Sequence, residues 1–164
     1  CVSSSSTTIQ GCSSTLIGTI RYVLVASSSF AKRWFPEGFG REAVAKAPIV
    51  NLDRNDMLQY RILFKLFGEP QLMPPAHYVP TANQYHAAVT AGIGYGLVPA
   101  IKAAAELNAG SLVELDKRAR MGITLYWHRL NRYSSLLKGI TDAVLAEGGR
   151  ILADTSHGGD DAQL

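Results

Sequence analysis

Two short clusters carry the side chains that could do chemistry in this chain. Asp53 and Asp56 stand three residues apart, directly after the apolar run Pro48-Ile49-Val50-Asn51-Leu52 and just ahead of a helical stretch. Carboxylates in such a loop can pair with a cation, or either can cap the helix by accepting from its free amides. Thr81, Ala82 and Asn83 form the second cluster, again between a β-prone run and a helix. A helix start presents unpaired N–H groups and the positive end of the helix dipole, and both suit a carboxylate. Thr81 or Asn83 can also cap that helix, and capping is compatible with ligand contact.

Other chemistries find no support. No serine sits in a G-x-S-x-G elbow, and no nucleophile and base fall in an arrangement that predicts catalysis, so no enzyme is expected. His77, His86, His128 and His157 lack the paired spacing of metal ligands. The Gly92-x-Gly94-x-Gly96 pattern runs from helix into strand, the reverse of a dinucleotide fingerprint. Trp127 and Tyr126 read as core and interface residues rather than a stacking platform for bases. No cofactor or metal is expected.

The elements that must position the two clusters are legible around Ala76–Ala100. Ala76–Val79 is β-prone and Pro80 ends it, since proline has no N–H for a ladder. Tyr85, Ala88, Val89 and Gly92 then fall at i, i+3, i+4 and i+7, a single buried helical stripe. Tyr95–Val98 reads as a buried strand, and Pro99 fits the first turn of another helix. This β-α-β-α order predicts a mostly parallel sheet, whose ligands would gather outside the carboxyl ends of its strands.

Elsewhere, strands are expected at Cys1–Ser4, within Leu16–Ser27, at Pro48–Leu52, Ser111–Leu115 and Ile123–His128. Helices are expected after the Ser27–Ser29 caps through Phe35, over Met57–Phe67 with Gly68 as its stop, over Ile101–Leu107, and over about residues 134–152. The last should turn Leu137, Ile140, Val144 and Ile151 inward. Lys117–Gly122 reads as a charged turn. The stretch from Ser3 to Thr8 is polar, and residues 154–164, DTSHGGDDAQL, have no apolar pattern and are expected to be a disordered tail.

The totals bound the class. A chain of 164 residues is one domain or two small lobes, and buries roughly 70% of its unfolded surface. Its net charge of +3 and pI near 9.0 come from scattered Lys and Arg, and no basic recognition helix or helix-turn-helix pattern appears. Cys1 and Cys12 are read as reduced thiols, and no apolar run approaches the ~20 residues of a membrane span. A cytoplasmic, membrane-independent protein is expected.

One family resemblance is carried by quoted residues. The stretch TANQYHAAVTAGIGYGLVP resembles the late part of the effector-binding domain of LysR-type transcriptional regulators, where a small-residue helix runs into G-x-G-x-x-L-x-P. Arg21–Ser27, Lys46–Val50, Leu125–Arg129 and Ile140–Ala143 match in order, and Gln10-Gly11-Cys12 with Leu125–Arg129 is most similar to the branch controlling arginine and lysine export. The resemblance covers roughly residues 1 to 153.

It implies a periplasmic-binding-protein-like (type 2) two-lobed α/β fold, with lobe two complete and lobe one partial. Residues 1–15 would end lobe one and supply the first hinge strand, residues 16–116 would form lobe two, and residues 117–153 would return to lobe one. It further implies that the DNA-binding region and the first half of lobe one precede Cys1, so DNA would be met only through a helix-turn-helix region absent from this chain. The partners expected are a small-molecule effector and other copies of the chain in a homo-oligomer.

In that frame the early hydroxyl of Ser3 or Ser4 would face the cleft, and the Asp53–Asp56 loop would contribute to the effector site. An amino acid fits these groups, its carboxylate near a helix start or the early serines and a cationic side chain against Asp53 or Asp56. Each charged hydrogen bond contributes about 1.5–3 kcal/mol. Lysine and arginine suit this best. A solute-binding protein of a transporter would share the fold and is the alternative.

Overall fold

A computed structural model describes residues 1–131 and 135–153; the expected tail, 154–164, lies outside the described residues. The described residues divide into two compact units, one formed by residues 1–21 with those from 122 to 153, the other by residues 22–121.

The second unit holds both chemical clusters. Its strands are the end of β2 (Cys12–Ser27), β3 (Ile49–Asn51), β4 (Ala76–Tyr78), β5 (Gly96–Pro99) and β6 (Leu112–Glu114). Its helices are α1 (Ser28–Trp34), α2 (Arg41–Lys46), α3 (Leu58–Phe67), α4 (Ala82–Thr90) and α5 (Ala100–Ala109). β3 pairs parallel with β4, and a parallel bridge joins Ile49 to Tyr95 at the start of β5. β5 and β6 both pair antiparallel with β2. The parallel expectation therefore holds for β3, β4, β5 and β6, and β2 alone runs against them. The helical connections predict the first four; β2, although α1 and α2 separate it from β3, pairs with β5 and β6 and runs antiparallel to both.

Strand alternation separates two apolar layers. Val23, Val25, Val50 and Val98 pack with Tyr85, Ala88 and Val89 of α4, Ala103 of α5 and Leu112. Burying each of the larger aliphatic chains contributes roughly 1.5–3 kcal/mol. A second cluster is aromatic: Phe35 and Phe39 both meet the Tyr95 ring at 5.6 Å, and Phe39 meets Phe67 of α3 at 6.0 Å.

Local chemistry explains the element ends. Ser27 caps α1 by accepting from Phe30 N at 3.2 Å, and Thr81 caps α4 by accepting from Gln84 N. Gly68 and Gly110 end α3 and α5 in the left-handed conformation. Pro99 stands one place before α5 rather than inside its first turn. The six-residue α2 was not expected, being too short to display a period.

In the first unit, β1 (Val2–Ser3) pairs antiparallel with β7 (Met121–Leu130), placing Val2 opposite Trp127, and β7 neighbours β2. The charged turn expected over Lys117–Gly122 ends earlier, because Met121 is buried and already in β7. Helix α6 (Ser135–Ala153) approaches β2 through two glycines: a Cβ on Gly148 would stand 2.3 Å from Ile17, and one on Gly18 2.9 Å from Leu152. Leu137, Val144 and Ile151 are half-buried, but Ile140, expected inward, is 42% exposed. The Trp127 indole donates to the Thr141 hydroxyl at 3.1 Å.

Candidate functional site

The chain directions of the second unit bring β3, β4 and β5 to one edge with their carboxyl ends, and a pocket opens there. Tyr22, Leu52, Asp56, Leu58, Gln59, Ala82, Tyr85, His86, Leu97, Val98, Pro99 and Lys102 line it. Its cavity of about 100 Å³ has room for several water-sized groups, each needing about 10–15 Å³. Every lining residue follows from topology. Leu52, Asp56, Leu58 and Gln59 come from the β3–α3 junction, Ala82, Tyr85 and His86 from α4, and Lys102 from the first turn of α5. Tyr22 arrives from the antiparallel strand, opposite Pro99.

Asp56 is held rather than loose. One carboxylate oxygen accepts from Leu52 N at 3.0 Å and the other from Leu58 N at 3.2 Å, while Gln59 Nε2 stands 3.5 Å away. A carboxylate has about four acceptor positions, so capacity remains for a cation. Its charge is felt nearby: burial raises the Tyr85 hydroxyl far above its ordinary pKa, and the Asp56 charge adds to this. Tyr22 is raised too, by burial first and Asp56 second.

Gln59, 2% exposed, ties the elements together. Its Nε2 donates to Val50 O at 2.8 Å and to the Tyr85 hydroxyl at 3.0 Å, joining α3, β3 and α4. The close approach of α4 to the sheet depends on Gly96, where a Cβ would stand 2.1 Å from the Tyr85 oxygen. The glycine pattern of the sequence thus serves packing.

The other expected site residues fall as follows. Asp53 does not line the pocket; its carboxylate accepts from Asn55 N at 2.7 Å and shapes the loop. Thr81 caps α4, adjoining the lining residue Ala82. Asn83 lies inside the first turn, where its Oδ1 accepts from Lys102 Nζ at 3.5 Å. Ser3 and Ser4 belong to the first unit, where the Ser3 hydroxyl accepts from Ser5 N at 3.1 Å. Tyr22, Gln59 and Lys102 were not singled out from the sequence. The available signal was position, since Gln59 and Lys102 each occupy an early turn of a helix that follows a strand. Among the described residues no three His, Cys, Asp or Glu side chains gather as a metal site.

A two-unit α/β chain with a pocket at the carboxyl ends of parallel strands has the type 2 periplasmic-binding-like fold. The chain belongs to the LysR family: the family model for the LysR substrate binding domain matches residues 2–148. Among similar proteins, the HTH-type transcriptional regulator ArgP of Klebsiella pneumoniae subsp. pneumoniae is 32% identical over 136 residues, 83% of this chain and 46% of that protein. ArgP of Pseudomonas aeruginosa is 34% identical over 149 residues, covering 91% and 49%.

Solved structures agree. ArgP from Mycobacterium tuberculosis superposes with a TM-score of 0.85 at 35% identity, over 90% of this chain and 50% of that one. Full-length LysG from Corynebacterium glutamicum with bound effector Arg gives 0.80 at 28% identity, over 90% and 50%. The chain therefore spans about half the length of the relatives it matches.

Proposed function

We propose that this chain is the effector-sensing part of a LysR-type transcriptional regulator that binds lysine or arginine, and that occupancy alters how the parent protein contacts DNA. The observation that carries the reading is Asp56, an anchored carboxylate in the wall of an otherwise largely apolar pocket at the carboxyl ends of the strands. It offers a fixed negative charge to an ammonium or guanidinium, worth about 1.5–3 kcal/mol per charged hydrogen bond. Lys102 in the same wall offers a positive charge to a carboxylate. The arginine-bound LysG structure supports the same ligand class. Ser3, Ser4, Asp53, Thr81 and Asn83 are proposed as further or supporting contacts.

The role is binding and signalling rather than catalysis, and the similarity to ArgP regulators favours it over a transporter's solute-binding protein. Among the described residues no helix is long and apolar enough to cross a membrane. Homo-oligomerisation is proposed from exposed apolar residues of the first unit, Leu136 at 71%, Leu130 at 56% and Ile140. Light scattering at micromolar concentration should give more than a monomer.

The functional test is ligand-induced stabilisation. Lysine or arginine at about 100 times its Kd should raise unfolding free energy by ~2.7 kcal/mol, and glutamate should not. Stabilisation by glutamate but by neither base would overturn the reading.

A further inference from the structure

Tyr85, one of the residues lining the pocket, carries a hydroxyl that receives a hydrogen bond from Gln59. A tyrosine oxygen has one O–H to donate and two positions to accept. One acceptor position of Tyr85 is taken by Gln59 Nε2, which donates to it at 3.0 Å. Gln59 cannot turn its amide over to receive the tyrosine proton, because Nε2 also donates to Val50 O at 2.8 Å, and the flip would set oxygen against oxygen. Among the described residues no acceptor takes the Tyr85 proton, although the side chain is 94% buried and lines the pocket. A buried donor without a partner is costly, which favours any occupant that supplies an acceptor.

We propose that Tyr85 is a specificity residue whose hydroxyl donates to a carboxylate on the ligand, with Lys102 supplying the charge beside it. The inference rests on the reading of this pocket as an amino-acid site and adds which end of the amino acid is recognised, and by what. Asp56 makes the arrangement directional. A carboxylate is repelled from its side and settles toward Tyr85 and Lys102, while the cationic group takes Asp56. Burial raises the pKa of the hydroxyl, so the donor is present at neutral pH, where the carboxylate is ionised.

The test compares lysine with 1,5-diaminopentane, which is lysine without its carboxylate, by calorimetric titration of the full chain and of Tyr85→Phe. In the unsubstituted chain lysine should bind more tightly than the diamine. Tyr85→Phe should weaken lysine by roughly 10- to 100-fold, the range of a charged hydrogen bond, and change the diamine less than about twofold. A purely structural role would weaken both ligands by one factor and leave their ratio unchanged, which would overturn the proposal.

Should Tyr85→Phe fail to unfold cooperatively, 3-fluorotyrosine placed at position 85 keeps every contact and strengthens the donor. It should tighten lysine alone, and equal effects on both ligands would overturn the proposal. Lysine binding that is weakened by Asp56→Asn while the ratio ignores residue 85 would remove this inference and leave the amino-acid reading in place. No lysine binding at all would remove both.

Discussion

Gly96 faces Tyr85 so closely that a Cβ at position 96 would stand 2.1 Å from the tyrosine oxygen and 2.9 Å from its Cζ. The contact lets α4 lie against β5 with the hydroxyl still in reach of Gln59. Gly96→Ala should therefore push the ring away and overpack the core, at a cost of about 1–3 kcal/mol. Thermal unfolding measures it. An unchanged midpoint would mean that α4 moves freely relative to β5.

The indole N–H of Trp127 and the Thr141 hydroxyl, 3.1 Å apart, join β7 to α6 within the first unit. Thr141→Val keeps the shape and removes the acceptor. A loss of about 1 kcal/mol is expected, with a change in tryptophan emission. Identical unfolding and emission would show that water replaces the hydroxyl without cost.

Acid should destabilise the chain through its paired carboxylates. Hydrogen bonds from Arg118, Arg41 and Arg150 hold Asp116, Glu69 and Glu147 below the ordinary carboxylate range. Because their folded pKa values are depressed, the unfolded chain binds more protons in acid. The stabilisation is present above the unfolded values and is lost as pH falls through the folded ones, below ~pH 4. The effect should be modest and weaken in salt, since Glu69 and Glu147 are exposed. Asp116→Asn should flatten part of the slope. A slope that Asp116→Asn leaves unchanged would contradict the assignment.

Much of the second unit was legible because its signals are local. Thr81, Gly68 and Gly110 mark helix ends by their own conformational preferences, and Tyr85, Ala88 and Val89 form their stripe by periodicity. The long strand β2 was legible only in its second half, because Ser13, Ser14, Thr15, Gly18 and Thr19 break the apolar pattern of the first. The glycine contacts of α6 with Ile17 and Leu152 depend on tertiary approach, which no local period encodes.

The site divides along the same line. The Asp53–Asp56 loop could be placed by its position after a strand. Which carboxylate lines the pocket could not, because that depends on the turn that directs Asp53 to Asn55 and Asp56 to Leu52 and Leu58. Gln59 reads as an ordinary polar position of α3, like Arg61 and Lys65, until its partner Tyr85, 26 positions away, is brought beside it.

Asp56 is proposed to anchor a basic amino acid through its fixed carboxylate. Calorimetric titration of the full chain with lysine, arginine, glutamate and alanine, repeated on Asp56→Asn, tests it most directly. Saturable binding of lysine or arginine is predicted, weakened roughly 10-fold or more by the substitution, with no binding of glutamate. Binding of a basic amino acid with the same affinity in Asp56→Asn, or binding of glutamate in place of both, would contradict the account.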